Sequence, residues 1–136
     1  MKQIILATHG HLSEEFSNTL ELIVGPIDNV RTFGMTKEKS EDNGKRELSQ
    51  LIEESDEEQL IVITDLFGGS AANICAEFLM HGHTFRLLSG LNLPMLLTLI
   101  TTDNDDISRD ELADAVLKAG GDGIIDINKV LTEGAG

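Results

Sequence analysis

Short unbroken apolar runs alternate along this chain with longer stretches in which apolar residues return every three or four positions. Ile4-Ile5-Leu6-Ala7 reads as a buried strand. Leu12, Phe16, Leu20 and Ile23 then recur at helical spacing with Glu14, Glu15 and Glu21 between them, and Gly25-Pro26 closes that helix. Val30 to Met35 is a weaker second strand, and the polar stretch Lys37 to Gly44 reads as a surface loop. Leu48, Leu51 and Ile52 give one stripe of a second helix, and the acidic run Glu53 to Glu58 reads as its solvated end. Leu60 to Thr64 is the strongest strand signal in the chain, followed by a helix over Ser70 to Met80 and a fourth strand over Phe85 to Leu88. Asn92-Leu93-Pro94-Met95 opens another helix, with proline in its first turn. Ser108-Arg109-Asp110-Glu111 has the form of a capping box ahead of Leu112, Val116 and Leu117. Gly120-Gly121-Asp122-Gly123 interrupts the pattern, and Ile124 to Ile127 is expected to be a last short strand.

Strands alternating with amphipathic helices predict an α/β domain built on an open, doubly wound, mainly parallel sheet. With 136 residues the chain is expected to form a single domain over 1–131, with a tail over 132–136. Right-handed crossovers place every strand-to-helix turn on one edge of such a sheet. If the first and third strands are neighbours, as in flavodoxin-like orders, a crevice opens between their carboxyl ends.

Composition narrows the function classes. A formal net charge of −14 opposes nucleic-acid binding, which needs clustered cations, and disfavours adhesion to an anionic membrane. Five Phe and no Trp or Tyr leave a mostly aliphatic core. No stretch approaches the ~18 apolar residues of a membrane span, and the N-terminal run ends in His and Gly, unlike a signal peptide. A cytoplasmic location is expected. The lone Cys75, among Ala72, Ile74 and Phe78, reads as a buried thiol.

The candidate chemistry lies at two strand ends. The first reads Thr8-His9-Gly10-His11, the second Asp65-Leu66-Phe67-Gly68-Gly69-Ser70. An imidazole with one free nitrogen is a good nucleophile near neutral pH, and a carboxylate on the other N–H fixes its tautomer and stabilises the imidazolium. Gly68 and Gly69 let backbone approach a phosphoryl oxygen, and the following helix N-terminus with the Ser70 hydroxyl can hydrogen-bond its charge. A site carrying a phosphoryl group on His9, with Asp65 as its partner, is therefore expected. Taken singly, such a His is commonly a surface residue, such an Asp an N-cap and Gly-Gly a turn. Their coincidence on one edge carries the reading.

Other chemistries fit less well. The two His-Gly-His segments, His9–His11 and His81–His83, would lie at opposite edges of a parallel sheet, so no metal site is expected from them, and His11, His81 and His83 read as solvent-facing. A receiver-type domain phosphorylated on Asp65 would need an acidic pair where Thr8-His9 stands. Neither nucleotide-binding glycine pattern is present, and Ser70 lacks the G-x-S-x-G elbow of a hydrolase.

Three segments in this order, Ile-Leu-Ala-Thr-His-Gly, Ile-Thr-Asp-Leu-Phe-Gly-Gly-Ser-Ala-Ala-Asn and Ser-Gly-Leu-Asn-Leu-Pro-Met-Leu, resemble the mannose-family enzyme IIA domains of the bacterial sugar phosphotransferase system. The resemblance implies four parallel strands with helices on both faces and a short extra C-terminal strand. It implies phosphorylation of His9, oriented by Asp65, with Gly68, Gly69 and Ser70 beside the phosphoryl group. Thr8, Phe67, Gly90, Asn92 and Pro94 would form the rim. Ala71 stands where many members have proline, which only pre-sets the helix start. The implied partners are the histidine phosphocarrier protein as donor, a IIB component as acceptor and, through IIB, the membrane components IIC and IID. No cofactor is implied. A homodimer with the C-terminal strand at the subunit contact is expected, and the resemblance implies exchange of that strand. Within the family, the same domain also serves as a regulatory unit of transcriptional activators and, in a divergent relative, as a donor subunit for dihydroxyacetone kinase.

Overall fold

The computed structural model describes residues 1–134. Four strands, β1 (Gln3–His9), β2 (Val30–Met35), β3 (Leu60–Thr64) and β4 (Arg86–Ser89), form one sheet in the order β2-β1-β3-β4, parallel throughout. The two central strands are apolar along their whole length because both faces are covered. Ile4 and Leu6 of β1 face a core with Ile61, Ile63 and the apolar stripes of α1 (Leu12–Val24), α4 (Leu93–Thr102) and α5 (Arg109–Asp122). Ile5 and Ala7 face the opposite core, with Val62 and the stripes of α2 (Glu41–Glu53) and α3 (Ser70–Met80). Each fully buried Ile or Leu contributes about 1.5–3 kcal/mol, so the β1–β3 pair is the most strongly held part of the sheet.

The doubly wound parallel architecture agrees with the sequence reading, and four differences have physical causes. The expected loop over 37–44 is half helix. Ser40 accepts a hydrogen bond from Asn43 N (3.1 Å), Glu41 and Asp42 favour the first turn, and Gly44 is buried because a side chain there would strike Met35. The acidic run is not merely solvated. Glu57, in a short 3-10 turn (Glu57–Gln59), receives Thr84 N at 2.9 Å and faces His83 Nδ1 at 3.1 Å, tying the entry of β4 to that of β3.

The glycine cluster is not a break. Helix α5 continues through Gly120 and Gly121 to Asp122, because α4 crosses so closely at Gly120 that a Cβ there would lie 2.6 Å from Met95 Cγ. The expected C-terminal strand, Ile124 to Ile127, is also not formed. Asp126 accepts from Lys129 N (3.2 Å) and starts helix α6 (Ile127–Gly134), in which Ile127, Val130 and Leu131 share a helical face. Of the expected tail, Thr132 to Gly134 end α6, and residues 135 and 136 lie outside the described residues.

The two helical glycines should respond differently to substitution. A Cβ on Gly121 meets nothing within 4 Å, so Gly121→Ala should stabilise the protein by about 0.5–1 kcal/mol through helix propensity. Gly120→Ala has the same gain but crowds buried Met95, and should be less stable than Gly121→Ala by about 1–3 kcal/mol. Urea unfolding of both variants measures the difference, and equal stabilities would contradict the close α4–α5 crossing.

Candidate active site

Strands β1 and β3 pair with Ala7 opposite Thr64, so the residues that follow, His9 and Asp65, emerge together at the carboxyl edge of the sheet. One oxygen of Asp65, Oδ2, accepts from His9 N at 3.1 Å and lies 3.0 Å from His9 Nδ1. A carboxylate only accepts, so the Nδ1 proton points at Asp65 and Nε2 is left as the ring's free nitrogen. The His9 side chain is 48% exposed, while that of Asp65 is only 14% exposed. The half-exposed imidazole thus stands over a carboxylate that is mostly buried.

Gly68 turns the chain from β3 into α3 with a φ of +86°, a conformation that suits glycine. Gly69 is the N-cap of α3, and a Cβ on it would stand 2.6 Å from His9 Cε1 and 3.3 Å from Nε2. Only a residue without a side chain leaves the imidazole its place against this helix start. Ser70, exposed, opens the helix, whose first N–H groups have no intrahelical partners and carry the positive end of its dipole. Asn73 Nδ2 donates to Gly68 O (3.1 Å) and Gly69 N to Leu66 O (3.1 Å), which fixes the turn.

Burial is the largest single influence on the Asp65 carboxyl and by itself would push its pKa up. The hydrogen bonds from the His9 ring and His9 N–H, with the His9 charge, together outweigh it and hold the carboxyl below its ordinary 3.8. Cys75 is buried and its thiol is pushed up to about 12 by burial, which removes it from nucleophilic chemistry.

The other residues expected at the site are placed as follows. Phe67 is 90% exposed beside Leu66, which is also exposed, on the turn that carries Asp65. Thr8 is not on the rim: it is fully buried, and its hydroxyl accepts from Ser13 N (2.8 Å), capping α1 from outside. Gly90 lies at the same edge, where Gly90 N and Leu91 N both donate to Thr64 O (3.0 and 3.1 Å) and hold the strand end that precedes Asp65. Asn92 and Pro94 serve the α4–α5 junction instead. Asn92 caps α4 at Met95 N (3.0 Å) and donates to Gly120 O (3.1 Å), and Pro94 lies where a Cβ on Gly123 would fall.

His11 is exposed at the start of α1, while His81 Nδ1 meets Glu77 O (2.8 Å) at the end of α3. His83 is not simply solvent-facing, being half-buried between Phe78 and Phe85 and paired with Glu57. The two His-Gly-His segments stand at opposite edges of the sheet, and no group of three His, Cys, Asp or Glu side chains among the described residues is placed to hold a metal. The residues missed from the sequence are Ser13, whose Oγ donates to Phe33 O (2.9 Å), and Asn73. Asn73 stands in the quoted Asp-to-Asn segment, five positions from the carbonyl it holds, and that proximity was the available signal.

The depressed carboxyl makes Asp65 a pH-dependent contributor to stability. A group whose folded pKa lies below its unfolded value contributes fully above that unfolded value, and the contribution is lost as pH falls through the folded pKa. The stability gap between the wild type and Asp65→Asn should therefore be full near pH 6 and shrink once the pH drops below about 3.8. Urea titrations of both proteins at a series of pH values check this. A gap that stays constant down to the lowest pH would contradict the bonded carboxylate.

The family profile EIIA-man, described as PTS system fructose IIA component, matches residues 3–117. The mannose-specific EIIAB component of the phosphotransferase system of Escherichia coli is 26% identical over 122 residues, which are 89% of this chain and 38% of that protein, so this chain spans well under half of that relative. The sorbose-specific EIIA component of Lacticaseibacillus casei is 28% identical over 103 residues, covering 76% of this chain and 75% of the relative. The crystal structure of phosphotransferase system component EIIA from Streptococcus agalactiae superposes with a TM-score of 0.85 at 27% identity, covering 95% of this chain and 99% of the other. With the profile spanning all four strands and the turns that carry His9 and Asp65, this chain belongs to the mannose-type enzyme IIA family of the sugar phosphotransferase system.

Proposed function

We propose that this chain is a phosphoryl carrier of the sugar phosphotransferase system. His9 accepts a phosphoryl group from the histidine phosphocarrier protein and passes it to a IIB component, which serves the membrane components IIC and IID. The observation that carries this reading is the double hold of Asp65 on His9, which leaves Nε2 of the half-exposed ring free beside Gly69 at the start of α3. The Nε2 lone pair attacks the phosphorus of the donor's phosphohistidine, and the donor P–N bond breaks with its electron pair returning to the donor imidazole. Phosphoryl transfer depends mostly on positioning and charge stabilisation. Asp65 stabilises the charge that appears on the His9 ring, while the N–H groups and hydroxyl at the start of α3 meet the phosphoryl oxygens. The reverse sequence delivers the group to IIB. No cofactor enters, and the reading places the protein in the cytoplasm, consistent with there being no described helix long and apolar enough to cross a membrane.

Incubation with phosphoenolpyruvate, enzyme I and the histidine phosphocarrier protein should put an acid-labile phosphoryl group on His9, located by mass spectrometry and absent in His9→Ala. Undiminished labelling of His9→Ala would overturn the assignment. Asp65→Asn should fold and yet slow the transfer by about 10²-fold or more, the range typical of a lost acid–base partner. Stopped-flow or quench measurements of the single transfer step read this directly.

The same reading includes a homodimer. Ile124, Ile125, Ile127, Val130 and Leu131 are all exposed, and α6 buries none of its residues against its own chain. A contiguous apolar surface of this kind marks an interaction site. The unpaired edge strand β4 lies beside an apolar groove formed by Phe67, Ala72, Ala76, Leu87 and Leu117, and the segment from Ile124 onward of a second copy is its assigned occupant. Sedimentation equilibrium should show the full chain dimeric at micromolar concentration and a version ending at Gly123 monomeric. A full-length monomer would refute the dimer, and a dimeric truncated form would clear the C-terminal segment of responsibility.

A further inference from the structure

We propose that Gly34, on β2 and without any contact to the reacting group, is a positioning residue that sets the place of the His9 imidazole. The inference rests on the phosphoacceptor reading of His9. In the β1–β2 register Thr8 stands opposite Gly34 and His9 opposite Met35. The chain then turns at Gly10, with a φ of +55°, and Gly10 N donates to Met35 O at 2.9 Å. The Gly10 carbonyl comes to rest over Gly34, where a Cβ would fall on the Gly10 oxygen, far inside contact distance, and 3.3 Å from its carbon. Both are backbone atoms of the residue that follows His9. Any side chain at position 34 therefore displaces the turn itself and cannot be relieved by moving the end of a flexible group.

The other side of Gly34 is held as well. Lys39 Nζ donates to Gly34 O at 2.7 Å, pairs with Glu47 at 2.8 Å and stands over the Phe33 ring, 4.7 Å from its centroid. Phe33 is fully buried and its carbonyl accepts from Ser13 Oγ, so the end of β2 is fixed to the core and to α1 at once. The Gly10 turn is thus seated on a rigid strand end, with one hydrogen bond and one van der Waals contact. His9 is the residue that this seating aims: its backbone N–H and its ring must both meet the same Asp65 oxygen. A displacement of the turn by a fraction of an ångström lengthens both contacts together. Misplacement on the scale of 1 Å costs about 10²-fold in an oriented reaction.

The test is Gly34→Ala in the full chain, labelled with [15N]histidine, next to the wild type. Thermal unfolding and circular dichroism establish whether the variant folds. Transfer from the phosphorylated histidine phosphocarrier protein should slow by about 10²-fold in kcat with little change in KM, as expected for a misoriented nucleophile. The unphosphorylated variant should show His9 nitrogen shifts displaced toward the Nε2-protonated tautomer, the same change that Asp65→Asn produces. A purely structural glycine would lower the melting temperature and leave the His9 nitrogen shifts alone. A folded Gly34→Ala with wild-type kcat and wild-type shifts overturns the proposal. If that variant does not fold, Lys39→Met decides, since it removes the hold on Gly34 O, with the Glu47 pair and the charge over Phe33, without adding an atom beside the Gly10 turn. A tautomer shift of the same sign supports the proposal, and wild-type shifts overturn it. The nitrogen spectra require no phosphorylation, so a wild type that is never labelled on His9 would sink the carrier reading by a separate measurement.

Discussion

One carboxylate oxygen holding two donors of the same residue is the contact around which this protein is arranged. Asp65 Oδ2 takes both the backbone N–H and the ring Nδ1 of His9. The first bond locates the strand end and the second sets the ring's rotation and tautomer. Such a contact demands that β1 and β3 be adjacent, parallel and in register, since a slip of one residue would send Asp65 to the other face. The unbroken burial of Ile4 to Ala7 against Leu60 to Ile63 enforces that register. Core packing therefore does chemical service here: it brings two side chains from positions 9 and 65 to 3.0 Å without either needing a flexible reach.

Around this contact, backbone supplies most of the remaining geometry. Gly69 lets the start of α3 come against the imidazole, and the Asn73 amide holds the Gly68 carbonyl. Thr64 O receives two N–H groups from Gly90 and Leu91, which joins the third and fourth strand ends into one platform. Thr8 and Ser13, both fully buried, link the first helix to β1 and β2 by hydroxyl bonds with no solvent to compete. Neutral bonds of this kind are each worth only about 0.5–1.5 kcal/mol net, yet leaving one buried group unpaired costs about 1–3 kcal/mol. Precision at the site follows from this asymmetry more than from the strength of any single bond.

The pattern of the chain made the central strands, most helices and the His9–Asp65 pairing legible, because each was written in contiguous residues with one dominant period. What escaped was decided by contacts distant in sequence. Gly120 and Gly121 look like a hinge in isolation, and only the crossing of α4 explains why the helix needs the first of them. Ile124-Ile125-Asp126-Ile127 fits a strand by β-branching, but the same residues with Val130 and Leu131 also fit a helical face, and the Asp126 cap chooses the helix. Thr8, which the resemblance places at the rim, is buried because both faces of β1 are covered and its hydroxyl is taken by Ser13 N. Asn92 and Pro94, which the resemblance placed at the rim, have their partners in α5, a relation no local pattern encodes.

The charge distribution suits a group that must be passed on and not kept. With a net charge of −14, the protein as a whole repels an added phosphoryl group, and the local attraction must come from nearby dipoles and the ring itself. Lys39, the lysine that reaches the end of β2 near the Gly10 turn, is taken up by the Gly34 carbonyl and Glu47, so its charge is spent on structure. In the proposed role the phosphoryl oxygens therefore meet N–H groups and a hydroxyl, while the imidazole charge is balanced from beneath by Asp65. A site that clamped the phosphoryl with guanidinium groups would bind it in bidentate fashion and slow its departure. A firmly held nucleophile and a cargo met by neutral N–H groups and a hydroxyl keep the phosphorylated state from becoming a trap. A reversible carrier between two protein partners, the proposed role, requires that the group can leave as readily as it arrives.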